Sequence, residues 1–380
     1  MHAMTTNVVV PAVAAVEARD RFAAAYGILG AAIAQRAFPG CAFGVVAGGE
    51  VVLHDALGRF TYEADSPAVK PDTKYDVASL TKVVATTAAA MLLHHRGALD
   101  VETPVGELLP GFVVGRPPGT PARRVTLRHL LAHSSGLPGY VEFFRTAHTP
   151  SELFRVCLEL PFEAQPGARA EYSDPGFILL GKALEVLMRE QLHVWSRREI
   201  FHRLEMSGTG FAPYRYLAES IPPTENDTTF RNRIIQGEVQ DENAAVLDGV
   251  AGHAGLFSNV PDLMRFVGEI LRALHPRPDA SSSGLFEATT VELFAERQKP
   301  EGSSRALGWD TPSENSSSGR HFSARSIGHL GYSGCSLWID LVADIAVVLL
   351  TNRTWPDRKC EAIRTVRPAF HDAIREALKA

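Results

Sequence analysis

Strand-like and helix-like segments are unevenly distributed along this chain of 380 residues, and the distribution limits the folds it can adopt. Two apolar segments, 42–47 and 51–56, flank the glycine pair 48–49, a pattern that predicts a β-hairpin. Strand-like segments return only after about residue 303. The middle of the chain has mostly helical periodicity and loops. The sequence therefore predicts an α+β protein, with one domain split between the two ends of the chain and one inserted, mostly helical domain.

The tetrapeptide Ser-Leu-Thr-Lys at positions 79–82 is the first candidate for chemistry, since it opens an apolar helix. Ser79 and Lys82 lie three positions apart and share one helix face. A lysine in a partly dry pocket loses its proton more easily and can help to deprotonate the neighbouring hydroxyl. The helix N-terminus also favours a developing negative charge on Ser79. Taken alone, the tetrapeptide equally fits a capping serine followed by a solvated lysine.

A second polar segment, Tyr172-Ser173-Asp174, precedes an apolar run with helical spacing. Tyr172 is therefore expected at a loop-to-helix junction. Its phenol can act as a general base or proton shuttle if nearby cations stabilise the anion. The same residues also fit an ordinary helix start, with Asp174 as the N-cap and Pro175 as the first helical residue. Both interpretations can hold together.

A third segment, 328–332, lies where strand-like sequence resumes, and residues 333–350 continue the pattern of antiparallel strands. Gly331 allows the strand backbone to approach a ligand closely. The N–H group of its neighbour could then point at a substrate carbonyl. Glycine-rich turns between strands are common, so a purely structural role is the alternative.

These three segments, in this order, resemble the S-x-x-K, Y-x-N and K-T-G or H-x-G motifs of the serine β-lactamase and penicillin-recognising hydrolase superfamily. The likeness is to the class C-like branch, which includes β-lactamase-related esterases and D-alanyl-D-alanine carboxypeptidases. Three further segments are similar to that family: 129–138, 249–258 and 307–309. The resemblance runs from about residue 30 to the C-terminal helix.

The resemblance implies a β-lactamase/transpeptidase-like fold, in which an antiparallel sheet from both chain ends is flanked by terminal helices. Those helices are expected at 15–37 and 358–378. The sheet domain would comprise residues 1–75 and 300–380. Residues 76–299 would form the mostly helical domain that carries the nucleophile helix, with the active site between the two domains.

The resemblance also implies roles for single residues. Ser79 would be the nucleophile, Lys82 would lower its proton affinity, and Tyr172 would shuttle protons between nucleophile and leaving group. The backbone N–H groups of Ser79 and Tyr332 would form the oxyanion hole. Acylation of Ser79 and hydrolysis by water would need no metal and no organic cofactor.

Two departures from the family motifs affect this prediction. Asp174 replaces the usual Asn. A carboxylate near Lys82 would keep the lysine charged and would shift base catalysis to Tyr172. This consequence is avoided only if Asp174 faces away from Lys82. His329 replaces a lysine and attracts a substrate carboxylate less strongly, so Arg325 or Arg320 is expected to supply that charge. The predicted substrate-binding residues are Asp174, His329, Leu330, Gly331, Arg325 and His253. Two polar loops, 223–226 and 240–243, are expected at the cavity rim.

Composition limits the partners and the compartment. A net charge of −5 and a pI near 6.3 exclude a basic surface for nucleic acid, and no segment is long and apolar enough to span a membrane. His129 and His133 share a helix face, but no Glu follows His129, so structural roles are expected rather than a metal site. The scattered cysteines and the poor secretory signal around Pro11 predict a cytoplasmic protein, or a periplasmic or secreted one if a natural leader is missing.

The predicted function is hydrolysis of a small ester or amide, esterase-like, with β-lactam turnover possible. The alternatives are a D-Ala-D-Ala carboxypeptidase or a muropeptide-recycling hydrolase. An alternative of another class is a non-hydrolysing binding protein, which Asp174 suggests because it disturbs the usual polar network. The sequence leaves the oligomeric state open.

Overall fold

A five-stranded antiparallel sheet forms the centre of the protein in a computed structural model that describes residues 19–211, 215–277, 284–300 and 302–379. Its strand order is β2-β1-β10-β9-β8, so both ends of the chain contribute, as predicted. The strands are β1 (Gly40–Ala47), β2 (Glu50–Gly58), β3 (Tyr75–Asp76), β4 (Gly210–Phe211), β5 (Glu225–Asp227), β6 (Arg233–Ile235), β7 (Leu256–Ser258), β8 (Ile327–Leu330), β9 (Ser336–Asp340) and β10 (Ile345–Thr351). The short strands form two smaller sheets, β3-β7-β4 and β5-β6.

Helices flank this sheet and fill the middle of the chain. The helix that carries Ser79 and Lys82, here called the nucleophile helix after the predicted role of Ser79, begins with a 3₁₀ turn (Ala78–Leu80), continues as a π-helix (Lys82–Thr87) and ends as α2. The α-helices are α1 (Ala23–Ala34), α2 (Ala88–His95), α3 (Val105–Leu108), α4 (Leu127–Leu131), α5 (Pro150–Glu159), α6 (Asp174–Met188), α7 (Leu192–Ser196), α8 (Glu242–Val246), α9 (Val260–Leu274), α10 (Ala288–Ala295) and α11 (Ile363–Lys379).

The two faces of the sheet bury different partners, because side chains alternate along each strand. On one face Phe43 and Val347 pack with the terminal helices, and the ring of Phe43 meets that of Phe370 at 5.8 Å. On the other face Val46 joins the large core that includes the nucleophile helix and α9. A Cβ added to Gly44 would lie 2.5 Å from Met264 Sδ, so α9 packs directly on β1. The domain boundaries at residues 75 and 300 stay a prediction.

The start of the nucleophile helix is held by strands on both sides. Ala78 has a φ of +47°, a left-handed conformation that a non-glycine residue adopts only when its surroundings enforce it. Its N–H donates to Asp76 Oδ1, and the N–H of Val77 donates to the Leu256 carbonyl of β7. Ser79 therefore directly follows a constrained turn. It is half-buried and lies at the N-terminus of the helix.

Several boundaries differ from the sequence prediction. The N-cap of α6 is Ser173, whose hydroxyl accepts from Gly176 N–H, so Asp174 is the first helical residue instead of the cap. The C-terminal helix begins at Ile363 rather than at 358. Part of the predicted first helix, 15–18, lies outside the described residues. No helix within the described ranges combines the length and apolar character needed to cross a bilayer.

Candidate active site

A cavity of about 910 Å³ opens beside the N-terminus of the nucleophile helix. Its wall is formed by the start of that helix, the junction before α6, the end of β8 and the segment after β10. Seven of the predicted site residues line it: Ser79, Tyr172, Asp174, His329, Leu330, Gly331 and Tyr332. Three distant parts of the chain therefore meet at one cavity, as the motif order predicted.

Lys82 lies behind Ser79 with its side chain fully buried. Its Nζ donates to Ser79 Oγ at 3.0 Å, to Asp174 Oδ1 at 2.7 Å and to the His253 carbonyl at 3.1 Å. A lysine ammonium has three protons and no lone pair, so it can act as the donor in each of these contacts. The arrangement fits a charged ammonium and shows that Asp174 faces Lys82.

Electrostatics favour the same protonation state. Burial lowers the pKa of Lys82, but the nearby Asp174 carboxylate and Tyr172 phenol outweigh burial, and the pKa of Lys82 is raised. Lys82 therefore remains protonated at neutral pH and has no lone pair with which to take a proton from Ser79.

Tyr172 stands between two cations. Burial is the largest effect and raises the pKa of its phenol overall; the positive charge of Lys82 opposes this rise only in part, and the Asp174 carboxylate adds to it. Lys82 Nζ lies 4.8 Å from the ring centroid and Arg305 Cζ lies 5.2 Å from it. Both cations lie within cation–π distance of the ring, and the charge of Lys82 offsets part of the effect of burial on the phenol.

His133 fixes the backbone on both sides of Tyr172. The N–H of Glu171 donates to the His133 carbonyl at 2.8 Å, and the N–H of Ser173 donates to His133 Nδ1 at 2.9 Å. The rings of His133 and Tyr172 lie 4.6 Å apart. Burial holds the pKa of His133 well below its usual value, so the imidazole is neutral and can accept at Nδ1.

The turn after β8 contacts the chain just before Ser79. A Cβ on Gly331 would lie 2.5 Å from the Val77 carbonyl oxygen, so only glycine permits this approach. Ser333 Oγ donates to the Asp76 carbonyl at 2.8 Å. Neither the N–H of Ser79 nor that of Tyr332 has a hydrogen-bond partner within the described residues. Both groups are therefore available to an acceptor in the cavity.

His329 cannot serve as a cation. Burial and the charges of Lys82 and Arg305 hold the pKa of His329 well below its usual value. Nδ1 lies 2.8 Å from the Leu330 carbonyl, to which it can only donate, and Nε2 is buried without a partner in the described part of the chain. In the neutral ring Nε2 is then a hydrogen-bond acceptor.

Three predicted positions require correction. Arg325 lies outside the cavity wall, largely exposed, with Nη2 3.9 Å from Glu292 Oε1. Arg320 pairs with Asp372 of α11. The His253 side chain is buried against Asp241 Oδ1 at 3.0 Å, so only its carbonyl contacts Lys82.

The sequence reasoning missed Arg305 as the cation beside Tyr172. Arg305 lines the cavity, and its Nη1 is 3.7 Å from Asp310 Oδ1, a loose ion pair. The signal available was its place two residues before the family-like segment 307–309. The loop 240–243 was expected at the rim and contributes Gln240, Asp241 and Glu242 to the wall, whereas 223–226 does not reach it. The described residues hold no group of three potential metal ligands.

Comparison with known proteins agrees with this geometry. The family model described as Beta-lactamase matches residues 18–369. The chain belongs to the beta-lactamase family. A curated relative from Bacillus subtilis (strain 168), named N-acetylmuramyl-L-alanine amidase, is 31% identical over 83% of this chain and 77% of its own length. A putative D-alanyl-D-alanine carboxypeptidase of Escherichia coli (strain K12) is 30% identical over 74% of this chain and 69% of its own.

Solved structures confirm the fold. EstCE1, described as a hydrolase with promiscuous acyltransferase activity, has a TM-score of 0.75 at 20% identity and covers 95% of this chain and all of its own. A class C beta-lactamase from Rhodobacter sphaeroides has a TM-score of 0.71 at 21% identity, covering 93% of this chain and 99% of its own. The β-lactamase/transpeptidase-like fold that the sequence resemblance implied is therefore correct.

Proposed function

We propose that the chain is a serine hydrolase that forms an acyl-enzyme at Ser79 with small ester or amide substrates. The observation that carries the proposal is the 3.0 Å contact between Ser79 Oγ and the buried Lys82 Nζ, on a cavity wall that also holds Tyr172. Family membership supports the same chemistry. No step in it draws on a metal or an organic cofactor.

Tyr172 is the proton acceptor in this mechanism, because Lys82 donates to Ser79 and has no lone pair; since the pKa of Tyr172 is raised as well, the phenolate form is the minor one at neutral pH. The reactive form is the one in which the cluster of Lys82, Tyr172 and Asp174 has lost one proton, leaving a phenolate beside the ammonium. The phenolate takes the proton of Ser79 while Oγ attacks the substrate carbonyl. Tyr172 then gives that proton to the leaving group, and water releases the acyl group by the reverse sequence.

The negative oxygen of the tetrahedral intermediate would lie between the free N–H groups of Ser79 and Tyr332. Two such donors lower the barrier by several kcal/mol, about 3 each. Ser79 also gains from its position at the helix N-terminus, where the macrodipole favours negative charge.

Labelling with a fluorophosphonate probe tests the proposal directly. We expect wild type to be labelled and Ser79→Ala to remain unlabelled, and we expect wild type to hydrolyse p-nitrophenyl acetate or butyrate. Equal labelling of both proteins, or of neither, contradicts a nucleophilic Ser79. Labelling without turnover of any substrate supports instead the alternative of a non-hydrolysing binding protein.

A second candidate is amide hydrolysis on cell-wall fragments. The relatives named as an amidase and as a putative carboxypeptidase favour it, and so does Arg305, a cavity cation suited to a substrate carboxylate. The same assay with an acyl-D-Ala-D-Ala peptide, N-acetylmuramyl-L-alanine and the β-lactam nitrocefin separates the candidates. Turnover of the cell-wall substrates alone contradicts the esterase proposal.

The cysteines bear on the compartment. All four cysteines are free thiols, and three of them are buried. Free thiols are typical of a reducing compartment, so we propose the cytoplasm. Detection of the native protein mainly in the periplasmic fraction or the medium contradicts this proposal.

A further inference from the structure

The turn from Gly331 to Cys335, here called the oxyanion turn, is held by a buried arginine from the C-terminal helix. Arg367 of α11 donates from Nη2 to the carbonyl oxygens of Gly331 at 2.7 Å and Cys335 at 2.8 Å. Its Nε donates to the Gly334 carbonyl at 3.1 Å. One guanidinium therefore binds three carbonyl oxygens of a single turn.

The remaining carbonyls of the oxyanion turn are also bound by side chains. Arg353 Nε donates to the Tyr332 carbonyl at 2.8 Å, and Thr351 Oγ1 donates to the Ser333 carbonyl at 3.1 Å. Each carbonyl oxygen of the turn is thus fixed by a side chain at the end of β10 or on α11. The N–H of Tyr332 has no partner among the described residues.

Peptide geometry links these two facts. The Gly331 carbonyl and the Tyr332 N–H belong to one planar trans peptide, so they point in opposite directions. The Gly334 N–H, at 3.0 Å, and Arg367 both donate to this carbonyl, and together they fix the direction of the Tyr332 N–H. A charged donor on the carbonyl also polarises the peptide and strengthens its N–H as a donor.

The surroundings of Arg367 argue against a role in packing alone. Arg367 is 6% exposed and has no carboxylate partner within the described residues, and burial lowers its pKa to about 10. The arginine stays charged at neutral pH, although burying a charge without a counter-ion is unfavourable. Two turns further along α11, the equally buried Arg375 has a carboxylate partner, Asp340, at 3.2 Å.

We propose that Arg367 is a positioning residue for catalysis: it orients and polarises the Gly331–Tyr332 peptide so that the Tyr332 N–H stabilises the negative oxygen of the tetrahedral intermediate. The inference rests on the proposed function, since it needs an acyl-transfer reaction at Ser79.

The experiment compares Arg367→Lys and Arg367→Gln with the control Arg375→Lys, each normalised to active sites titrated with a fluorophosphonate. Loss of a whole oxyanion donor reduces kcat about 100- to 1000-fold, so a weakened one should reduce it by about 10- to 100-fold in R367Q and less in R367K. We expect KM to change by less than about threefold. Inhibition by phenylboronic acid, whose adduct with Ser79 is tetrahedral, should weaken in proportion to kcat.

The pH profile adds a readout that packing does not affect. A lysine at position 367 loses its proton at lower pH than the arginine, so kcat of R367K should decline on the alkaline side where wild type does not. R375K should leave kcat, boronate inhibition and this profile unchanged, even if it melts at a lower temperature. If R367Q does not fold, R367K decides the question.

Two results overturn the inference. One is an unchanged kcat per titrated site in the Arg367 variants, and the other is an increase in KM while kcat and boronate inhibition stay at wild-type values. Either result still leaves the proposed function intact if wild type is labelled at Ser79. Wild type that is not labelled contradicts the proposed function instead.

Discussion

Two buried cations border the candidate site, and they are stabilised in opposite ways. Lys82 contacts a carboxylate, Asp174, at 2.7 Å, and its pKa is raised. Among the residues that the structure describes, Arg367 donates hydrogen bonds only to carbonyl oxygens, and burial lowers its pKa to about 10. Both remain charged at neutral pH, because the lysine has a counter-ion and the arginine starts from a much higher intrinsic pKa.

The difference shows what each cation can do. An ammonium paired with a carboxylate cannot act as a base, but it can stabilise the anion of Tyr172 beside it. A guanidinium without a counter-ion has all its donors available for backbone carbonyls and can fix a turn. Lys82 would therefore act through charge and Arg367 through orientation, and the two sites should respond differently to mutation.

The largest effect is expected for Lys82→Met. This variant leaves the half-buried Asp174 without its cation and removes the positive charge beside Tyr172. We expect kcat/KM for p-nitrophenyl butyrate to fall at least about 1000-fold, the scale of losing acid–base catalysis. Removing one partner of a buried ion pair should also lower the free energy of unfolding by about 3–5 kcal/mol, measured by urea denaturation.

The double variant Lys82→Met/Asp174→Leu separates the two effects. Replacing both partners of a buried pair by apolar residues is often neutral for stability, so most of the lost unfolding free energy should return. Activity should not return, because Tyr172 still lacks its cation. Activity of K82M above a tenth of wild type would contradict the role of Lys82 in charge stabilisation.

A moderate effect is expected for Asp174→Asn. This variant takes the carboxylate counter-ion away from Lys82, so that Lys82, like Arg367, is bound by neutral acceptors. The amide keeps an acceptor for Lys82 but removes the negative charge. Because Asp174 raises the pKa of both Lys82 and Tyr172, the cluster should lose its proton at lower pH in the variant. We therefore expect the rise of kcat/KM with pH to move to lower pH by at least about one pH unit.

The matched control for this variant is Glu361→Gln, another carboxylate on the cavity wall. Glu361 pairs with the exposed Arg364 at 2.9 Å. Its removal should leave the pH profile of kcat/KM where it is in wild type. A D174N profile that coincides with wild type, or that moves to higher pH, shows that Asp174 does not control the reactive protonation state.

The sequence could predict contacts that depend on short spacing. Ser79 and Lys82 are three positions apart, so helix geometry alone brings Oγ and Nζ together. The hairpin of β1 and β2 follows equally from its glycine pair. The contact between Lys82 and Asp174 spans 92 positions and depends on how α6 packs against the nucleophile helix, so the sequence left the orientation of Asp174 open.

Cations that reach the cavity from distant elements were the hardest to predict. Arg325 and Arg320 were the predicted cations for a substrate carboxylate, but Arg325 lies at the surface, near Glu292. Arg305 and Arg367 reach the site from a loop and from the C-terminal helix. For an arginine on an amphipathic helix, the sequence normally predicts an exposed side chain. Only tertiary packing shows that Arg367 faces inward.

Asp76 is a buried anion that can be compared with the buried cation Arg367. Like Arg367, this buried side chain contacts backbone groups: Oδ1 accepts from Ala78 N–H at 2.8 Å and Oδ2 from Gln240 N–H at 2.7 Å. Burial outweighs these hydrogen bonds and raises the pKa of Asp76 to about 6. An aspartate starts from a pKa of about 3.9, and Asp76 has no ion-pair partner in the described ranges, so burial moves its titration towards neutral pH.

The smallest effect is therefore expected in the pH dependence of stability. Between about pH 6 and pH 4 the folded state holds a proton on Asp76 that the unfolded state has released, so this group adds stability as the pH falls. Asp76→Asn removes the titration, although it also loses one hydrogen bond at every pH. The difference in unfolding free energy between wild type and D76N should therefore grow in favour of wild type by about 1 kcal/mol from pH 7 to pH 5.

Asp340→Asn is the control for this measurement, because Asp340 is also buried but has Arg375 as a partner and a lowered pKa. A carboxyl with a lowered pKa loses its contribution only below about pH 4, so the difference between wild type and D340N should be constant from pH 7 to pH 5. Urea denaturation at both pH values measures the two differences. A D76N difference that is constant over that range, or that shrinks at pH 5, would show that the two backbone donors hold Asp76 ionised as effectively as an arginine does. A buried charge at this site would then need no counter-ion, and the contrast between Lys82 and Arg367 would lose its physical basis.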